Sequence, residues 1–493
     1  MCTLPPSRSG RPGRRARLAW AVCLGALALQ GCMVGPNFTK PATPRVERYV
    51  PGDAVPATLT AAGASQTFSS GTPLRDDWWT LFQSKAIDAA VDEALTGNAT
   101  LAGAQASLRR SEHELRAGAG VFFPQVDAGA SALRERYVGA RLGSGAAPAL
   151  FNLFTLSASI SYALDLWGGE RRTVEGLAAQ ADADRYALVA TWLTLTSNVV
   201  NTMIARAAYS DEITATQEMI GLVDEQIALT KAQYEGGTAA WTAVLTLENE
   251  RATLQASLPA LAQKRAQAEH LLATLAGMLP ADWHAPPLSL TDIALPATLP
   301  ETVPSALVAR RPDILQAEAA LHVASANIGV ATAALLPSVT LSASGSFNGT
   351  TVPTLFGSAG KAWTVGADAT TPISHGGSLW YQREAAKDAY DASRAAYQQV
   401  VLAAFQQVAD TLRALQHDAE ALAAQTRAVE SSSEALRLLK VGYEAGTVDY
   451  LQILIADGQY HQARIAWLQA NAQRLQDTVA LYAALGGGWN EAR

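Results

Sequence analysis

The clearest pattern in the chain lies near its end. Leu451, Leu454, Gly458, His461, Ile465, Leu468, Ala472, Leu475, Val479 and Tyr482 recur at alternating steps of three and four. That is a heptad seam, and it predicts a long helix packed along its length against others. One segment earlier, Ala385, Ala389, Ala392, Ala396 and Ala403 keep the rhythm with small side chains, which let neighbouring helices approach closely. Leu254, Leu258, Leu261, Ala268, Leu272 and Leu275 form a similar stripe in the first half, where Pro259 is expected to kink the helix. Residues 170–234 and 378–443 contain no proline, so each predicts a helix of about 65 residues, roughly 100 Å long.

Elsewhere the period changes to two. Phe154, Leu156, Ala158, Ile160, Tyr162 and Leu164 alternate with Thr155, Ser157, Ser159, Ser161 and Asp165. Val339, Leu341, Ala343, Gly345 and Phe347 alternate with Thr340, Ser342, Ser344 and Ser346, and Trp363, Val365, Ala367 and Ala369 alternate with Thr364, Asp368 and Thr370. A fourth, weaker strand at about 126–137 carries Arg134, Glu135 and Arg136. Loops rich in Gly, Ser and Pro at 139–148 and 349–360 divide the strands into two hairpins, about 126–166 and 338–373. One apolar face, one small polar face and this length are the signature of strands crossing an outer membrane.

Four strands cannot close a barrel, and an open edge is not tolerated in lipid. Two copies would give eight strands with a filled interior. Three would give twelve and room for a water-filled lumen, so the arithmetic favours a trimer. Trp167 and Trp363 would then sit at the membrane boundary. The competing reading is a soluble hairpin cap on a helical bundle.

These elements occur twice. Tyr234-Glu235-Gly236-Gly237-Thr238 returns as Tyr443-Glu444-Ala445-Gly446-Thr447, and the same offset carries Leu272 to Leu481 and Gly277 to Gly486. Phe122-Phe123-Pro124 is echoed by Leu335-Leu336-Pro337, and Gly168-Gly169 by Gly376-Gly377. The expected organisation is an N-terminal signal over 1–31, an extended segment over 32–73 and a first repeat over 74–279. A proline-rich linker over 280–304, a second repeat over 305–488 and a short tail over 489–493 follow. Two copies are too few for a solenoid. The fold class is therefore mainly α: a long helical coiled-coil barrel plus four strands per chain, closing as a 12-stranded membrane barrel in a trimer.

Composition changes the picture at the N-terminus. Arg8, Arg11, Arg14, Arg15 and Arg17 precede an apolar run over 18–29, the layout of a secretory signal. The run ends in Leu29-Gln30-Gly31-Cys32, which resembles a bacterial lipobox, with Cys32 as the lipid attachment site. The alternative is a signal cut elsewhere that leaves Cys32 free. Met33 stands where an inner-membrane retention signal would show Asp, which favours the outer membrane. Cys2 and Cys23 leave with the signal, so no internal disulfide is expected. After residue 31, no stretch offers the 18 apolar residues of a membrane-spanning helix.

The net charge of −7 argues against a nucleic-acid partner. No His-Glu-x-x-His, Gly-x-Ser-x-Gly or Walker-type loop occurs, so neither catalysis, a metal nor a cofactor is expected beyond the covalent lipid. Arg310-Arg311-Pro312-Asp313 reads as the start of a helix, with Pro in the first turn and Asp at the positive end.

Read in order, several pieces together resemble one family. They are Gly31-Cys32-Met33-Val34-Gly35-Pro36, Asp77-Trp78-Trp79 with Phe82, and Tyr162 with Leu164-Asp165-Leu166-Trp167-Gly168. Arg310-Arg311-Pro312-Asp313-Ile314 with Ala317-Glu318, Ile328-Gly329-Val330-Ala331 and Leu336-Pro337-Ser338-Val339-Thr340-Leu341 follow. Leu481-Tyr482 and Leu485-Gly486-Gly487-Gly488-Trp489 close the chain. The chain resembles the outer-membrane efflux lipoproteins of the TolC/OprM class, nearest the NodT-type factors, over essentially its whole mature length.

That resemblance implies a homotrimeric conduit that passively carries drugs and toxic compounds to the exterior. It implies two partners, a periplasmic adaptor and an inner-membrane pump, proton-driven. It also places Gly237, Thr238, Tyr443, Gly446 and Thr447 at the periplasmic tip, where the tunnel closes and the adaptor docks. Family members often carry Asp where this chain has Ile455 and Ala243. A charged gate is therefore not expected, and Leu454 and Ile455 are candidates for an apolar constriction. Two rival readings remain: an exit duct for type I protein secretion, and a lipidated coiled-coil structural protein.

Overall fold

The computed structural model describes residues 33–44, 46, 48–50, 57–70, 74–137, 148–301 and 304–489. The signal segment, Cys32, the first hairpin loop at 138–147 and residues 490–493 lie outside the described residues. In chain order the main elements begin with β1 (Thr67–Ser70), α1 (Lys85–Gly97), α2 (Ala99–Gly118), β2 (Gln125–Tyr137) and β3 (Ala149–Leu164). The long helices α3 (Gly169–Glu235) and α4 (Trp241–Leu275) come next. The second half holds β4 (Thr298–Glu301), α5 (Pro304–Val308), α6 (Pro312–Ala333), β5 (Ser338–Gly349), β6 (Lys361–Thr370), α7 (Ser378–Glu444) and α8 (Tyr450–Ala484).

Helices α3 and α7 are each 67 residues long, and α4 and α8 each 35, so the repeat read from the sequence is matched in helix length. Pro259 does not end α4, which runs through it as one helix. Helix α3 corrects the reading of apolar stretches, because it holds an 18-residue window of mean hydropathy 1.2. Half of that window is buried within the protein, as befits a core helix.

The chain forms two compact units, and each draws on both repeats. The first takes residues up to Lys40 with Arg109–Asp182 and Glu318–Ala395; the second takes Pro41–Leu108, Ala183–Ala317 and Ala396 onward.

The first unit is built on a four-stranded antiparallel sheet of order β2-β3-β5-β6. Its register sorts the side chains, because residues paired across antiparallel strands share a face. Ile160 pairs with Val126 and Ala343, and Ala343 pairs with Val365; Leu156 pairs with Ala130 and Phe347. All of these lie on the apolar face. Ser157 pairs with Gly129 and Ser346, and Ser161 with Gln125 and Ser342, on the other. That second face is lined with Ser and Thr until the hairpin end, where Leu133, Leu153 and Phe151 appear. The edge strands β2 and β6 run in opposite directions, so a further copy can continue the antiparallel order at either edge.

The second unit holds the main hydrophobic core. Trp78 and Phe82 are fully buried, and Trp78 stacks on Tyr482 with ring centroids 5.5 Å apart. Val199, Val200, Met203 and Ile204 of α3, Leu272 of α4 and Leu475 and Val479 of α8 pack around them. The Asp77-Trp78-Trp79 and Leu481-Tyr482 motifs are thus two halves of one packing contact. The Arg311 guanidinium donates to the Asp313 carboxylate at 2.6 Å, the Ala484 carbonyl at 2.8 Å and Gln407 Oε1 at 2.8 Å. It ties the start of α6 to α7 and to the end of α8. Trp489 donates to the Arg310 carbonyl at 2.9 Å, seating the C-terminal Gly-Gly-Gly-Trp on the same corner.

Candidate functional site

Both Gly-Thr turns are helix C-caps of one design. After α3, Gly237 takes φ +74, and the Thr238 amide donates to the Gln233 carbonyl at 2.9 Å. After α7, Gly446 takes φ +73, and the Thr447 amide donates to the Gly442 carbonyl at 2.9 Å. The left-handed glycine followed by a six-to-one bond is the Schellman arrangement. The threonine adds a second bond, since Thr238 Oγ1 donates to the Gln233 carbonyl and Thr447 Oγ1 to the Gly442 carbonyl, each at 3.0 Å. Glycine is needed to reach the left-handed region, and threonine to satisfy a carbonyl that the helix leaves free. All four of these residues are exposed.

The two turns are joined. The Gln233 side-chain amide donates to the Tyr443 hydroxyl at 2.6 Å, linking the last turn of α3 to the last turn of α7. Each turn also has an aromatic pair: Tyr234 with Trp241 at 5.1 Å, and Tyr443 with Tyr450 at 5.6 Å. The first pair is exposed, whereas the second packs against Leu436, Ile453 and Ala456. One repeat therefore presents its aromatic pair to solvent, and the other uses the equivalent pair as core.

Of the two constriction candidates, Leu454 is half-buried beside Met219, Val223, Ile227 and Leu247. Ile455 is 53% exposed, next to the equally bare Leu451. The apolar side chains offered to solvent at the start of α8 are thus Leu451 and Ile455, with Leu454 committed to packing.

Behind the turns lies a polar cluster that the sequence reading missed. Asp457 of α8 is fully buried and accepts a hydrogen bond from Gln226 of α3, with Lys440 of α7 at 3.9 Å. Burial raises its pKa, with Gln226 and Lys440 opposing. Glu250 of α4 is raised by burial and by Asp457. Arg464 of α8 pairs with Glu218 of α3. The missed signal was periodic: Ile453, Ala456, Asp457 and Tyr460 form a second stripe beside the heptad seam, which places the carboxylate on a buried side. Further along, burial raises Asp418 of α7 to about 7, helped by Asp477 of α8 close by.

In the first unit, the segment just after Cys32 is clamped to the body. The Val34 amide donates to the Trp167 carbonyl at 2.9 Å. Arg172, fully buried at the start of α3, donates to the Val34 carbonyl at 3.3 Å, Asn37 Oδ1 at 2.7 Å and Glu175 at 2.7 Å. Glu175 reaches His322 at 2.8 Å, and Phe38 stacks on the His322 ring at 4.3 Å. Burial pushes the Glu175 pKa up, but the bonds from His322 and Arg172 hold it below the usual range. Asp165 caps α3, accepting from the Glu170 and Arg171 amides at 3.1 Å each. No group of three or more metal-ligating side chains occurs among the described residues.

The sequence profile of the outer membrane efflux protein family matches residues 90–278 and 303–487, which is most of both repeats. The chain belongs to the outer membrane efflux protein family. It is 30% identical over 434 residues to the pyoverdine export outer membrane protein OpmQ of Pseudomonas putida, covering 87% of this chain and 92% of that one. It is 29% identical over 476 residues to the antibiotic efflux pump outer membrane protein ArpC of Pseudomonas putida, covering 96% of both. Among solved structures, the outer-membrane channel OprN superposes with a TM-score of 0.83 at 28% identity, covering 93% of this chain and all of that one. An outer membrane efflux protein of this class is the outer-membrane component of an efflux system, and that is what this chain is. Its fold, long helices with a small sheet, is that of the outer-membrane efflux channels.

Proposed function

We propose that three copies of the chain close one twelve-stranded barrel across the outer membrane and form a passive conduit for small molecules. The observation that carries this is the sheet. Four strands sorted into an apolar and a Ser/Thr face, with two free antiparallel edges, are a third of a barrel with lipid outside and water inside. The Gly-Thr turns are the periplasmic tip, where a periplasmic adaptor docks and the tunnel narrows. An inner-membrane pump, proton-driven, supplies the energy through that adaptor. The relatives' names, pyoverdine export and antibiotic efflux, support a cargo of small organic molecules, drugs and toxic compounds. Cys32 carries the lipid. The clamp on Val34 and Asn37 supports this, because it fixes the described start of the chain, with Met33 packed beside Gly168.

The test is the mass of the detergent-extracted protein, with detergent subtracted, followed by conductance in planar bilayers. A species of three chains that forms channels is expected. A monomer stable in several mild detergents would overturn the shared barrel.

A further inference from the structure

The register separates the sheet's charges completely. Asp127, Glu135 and Asp368 all lie on the Ser/Thr face, paired with Ser159, Phe151 and Thr340. Arg134, Arg136 and Lys361 all lie on the apolar face, paired with Asn152, Leu150 and Phe347. Every cation of the sheet would therefore point toward lipid, and every carboxylate toward the lumen.

The three cations also share one end. Arg134 and Arg136 close β2 and Lys361 opens β6, all at the hairpin end, opposite the strand ends that lead into helices. From Val126 to Arg136 the strand advances ten residues. At about 3.4 Å per residue and a tilt near 40°, that climb is roughly 26 Å, about the height of a barrel's apolar band. Trp363, 80% exposed, stands two residues inside Lys361 on the same face, as a girdle aromatic does. The Lys361 ammonium lies 5.6 Å from the Phe347 ring centre, over an aromatic face. Both arginines are exposed, and among the described residues none of the three cations is ion-paired. The hairpin loops offer no partner in sequence either: 138–148 and 350–360 contain Arg141 and no Asp or Glu. A chain of net charge −7 thus concentrates bare positive charge at the outer rim of its lipid-facing surface.

Lipid-facing cations at mid-bilayer are costly, but at the headgroup level they are favourable when an anion meets them. Residues Arg134 and Arg136 belong to one edge strand and Lys361 to the other. If three copies share a barrel, as proposed above, β6 of one copy lies beside β2 of the next, and the three cations gather at each seam. The geometry points to a binding site there for the phosphate groups of an outer-leaflet lipid, one site at each of three seams. Guanidinium forks suit phosphate oxygens, and the exposed Trp363 offers an apolar wall to the acyl chains below.

Native mass spectrometry of the full-length protein in detergent tests this, with three probes: bisphosphorylated lipid A, the same lipid A stripped of phosphate, and inorganic phosphate. The wild-type trimer is expected to take up to three bisphosphorylated lipids, and to bind the stripped lipid at least tenfold more weakly. The triple variant Arg134→Gln, Arg136→Gln, Lys361→Gln should stay trimeric and lose that preference. Exchange of each cation for the other type (Arg134→Lys, Arg136→Lys, Lys361→Arg) should keep it, which separates charge from folding damage. Equal binding of both lipids by a wild-type trimer would overturn the site and leave the barrel standing. Equal occupancy by inorganic phosphate alone would overturn the lipid assignment. A monomeric wild type would overturn the barrel, and the site with it.

Discussion

Asp418 shows how a carboxylate can carry more weight than its place on a helix suggests. With its folded pKa raised to about 7 by burial and by Asp477, it holds its proton in the folded state at pH values where an unfolded chain has lost it. Folding is therefore penalised as pH rises from about 4 to about 7, and the penalty is constant above that. Asp418→Asn removes it. Solvent screening at this half-buried site holds the expected gain to the order of 2 kcal/mol at pH 8, falling to next to nothing at about pH 3, read as Tm against pH for both proteins. Arg172 is the opposite case, a buried charge whose partners are all present. Arg172→Met would strand the Val34 carbonyl and Asn37 Oδ1 and leave Glu175 with His322 alone, at a cost of about 3 kcal/mol. Limited proteolysis should then cut within 33–40 while the wild type resists. Neither residue stood out in the sequence. Asp418 acquires its meaning from a helix nearly sixty positions on, and Arg172 from a segment more than a hundred positions back. Local periodicity carries no information about such partners.

Among the elements, the helix ends are the most legible parts. Gly277 and Gly486 were found as an echo across the repeat, and both take positive φ directly after α4 and α8. Gly277 is also pressed against α1, since a Cβ there would lie 2.0 Å from the Gly97 carbonyl oxygen. Gly277→Ala should therefore cost more than the ordinary left-handed penalty, about 2–4 kcal/mol by thermal unfolding. Gly103→Ala in α2, where a Cβ meets nothing within 4 Å, should be neutral or stabilising by up to about 1 kcal/mol. The strands were legible for a related reason. Their polar partners are Ser and Thr, small enough that alternation survives without large side chains breaking it. The Asp457 cluster was not legible, because the heptad seam names one stripe of α8 while a second one faces α3 and α7. Nor did the sequence foretell how the chain divides, since a duplicated order of elements does not say which halves pack together.

For the whole molecule, the proposed tip at the Gly-Thr turns is where passage would be controlled. At the start of α8, Ile455 stands bare beside Leu451, while Leu454 is half-buried against Met219, Val223 and Leu247. Ile455→Ser is expected to raise single-channel conductance or antibiotic leakage into cells severalfold, with Leu454→Ser instead lowering Tm. No change in conductance or leakage with Ile455→Ser would remove it from the constriction. The ties behind the turns, Gln233 to Tyr443 and Gln226 to Asp457, join helices from different repeats.

The sorted faces of the sheet also restrict how this protein can change over generations. Deleting one residue within β3 would reverse every side chain beyond it, sending serines to the apolar face and leucines to the Ser/Thr face. Deleting two keeps the parity and merely shortens a staple. Length variation inside these strands should therefore come in even numbers. The sheet is, in effect, written in a two-letter reading frame.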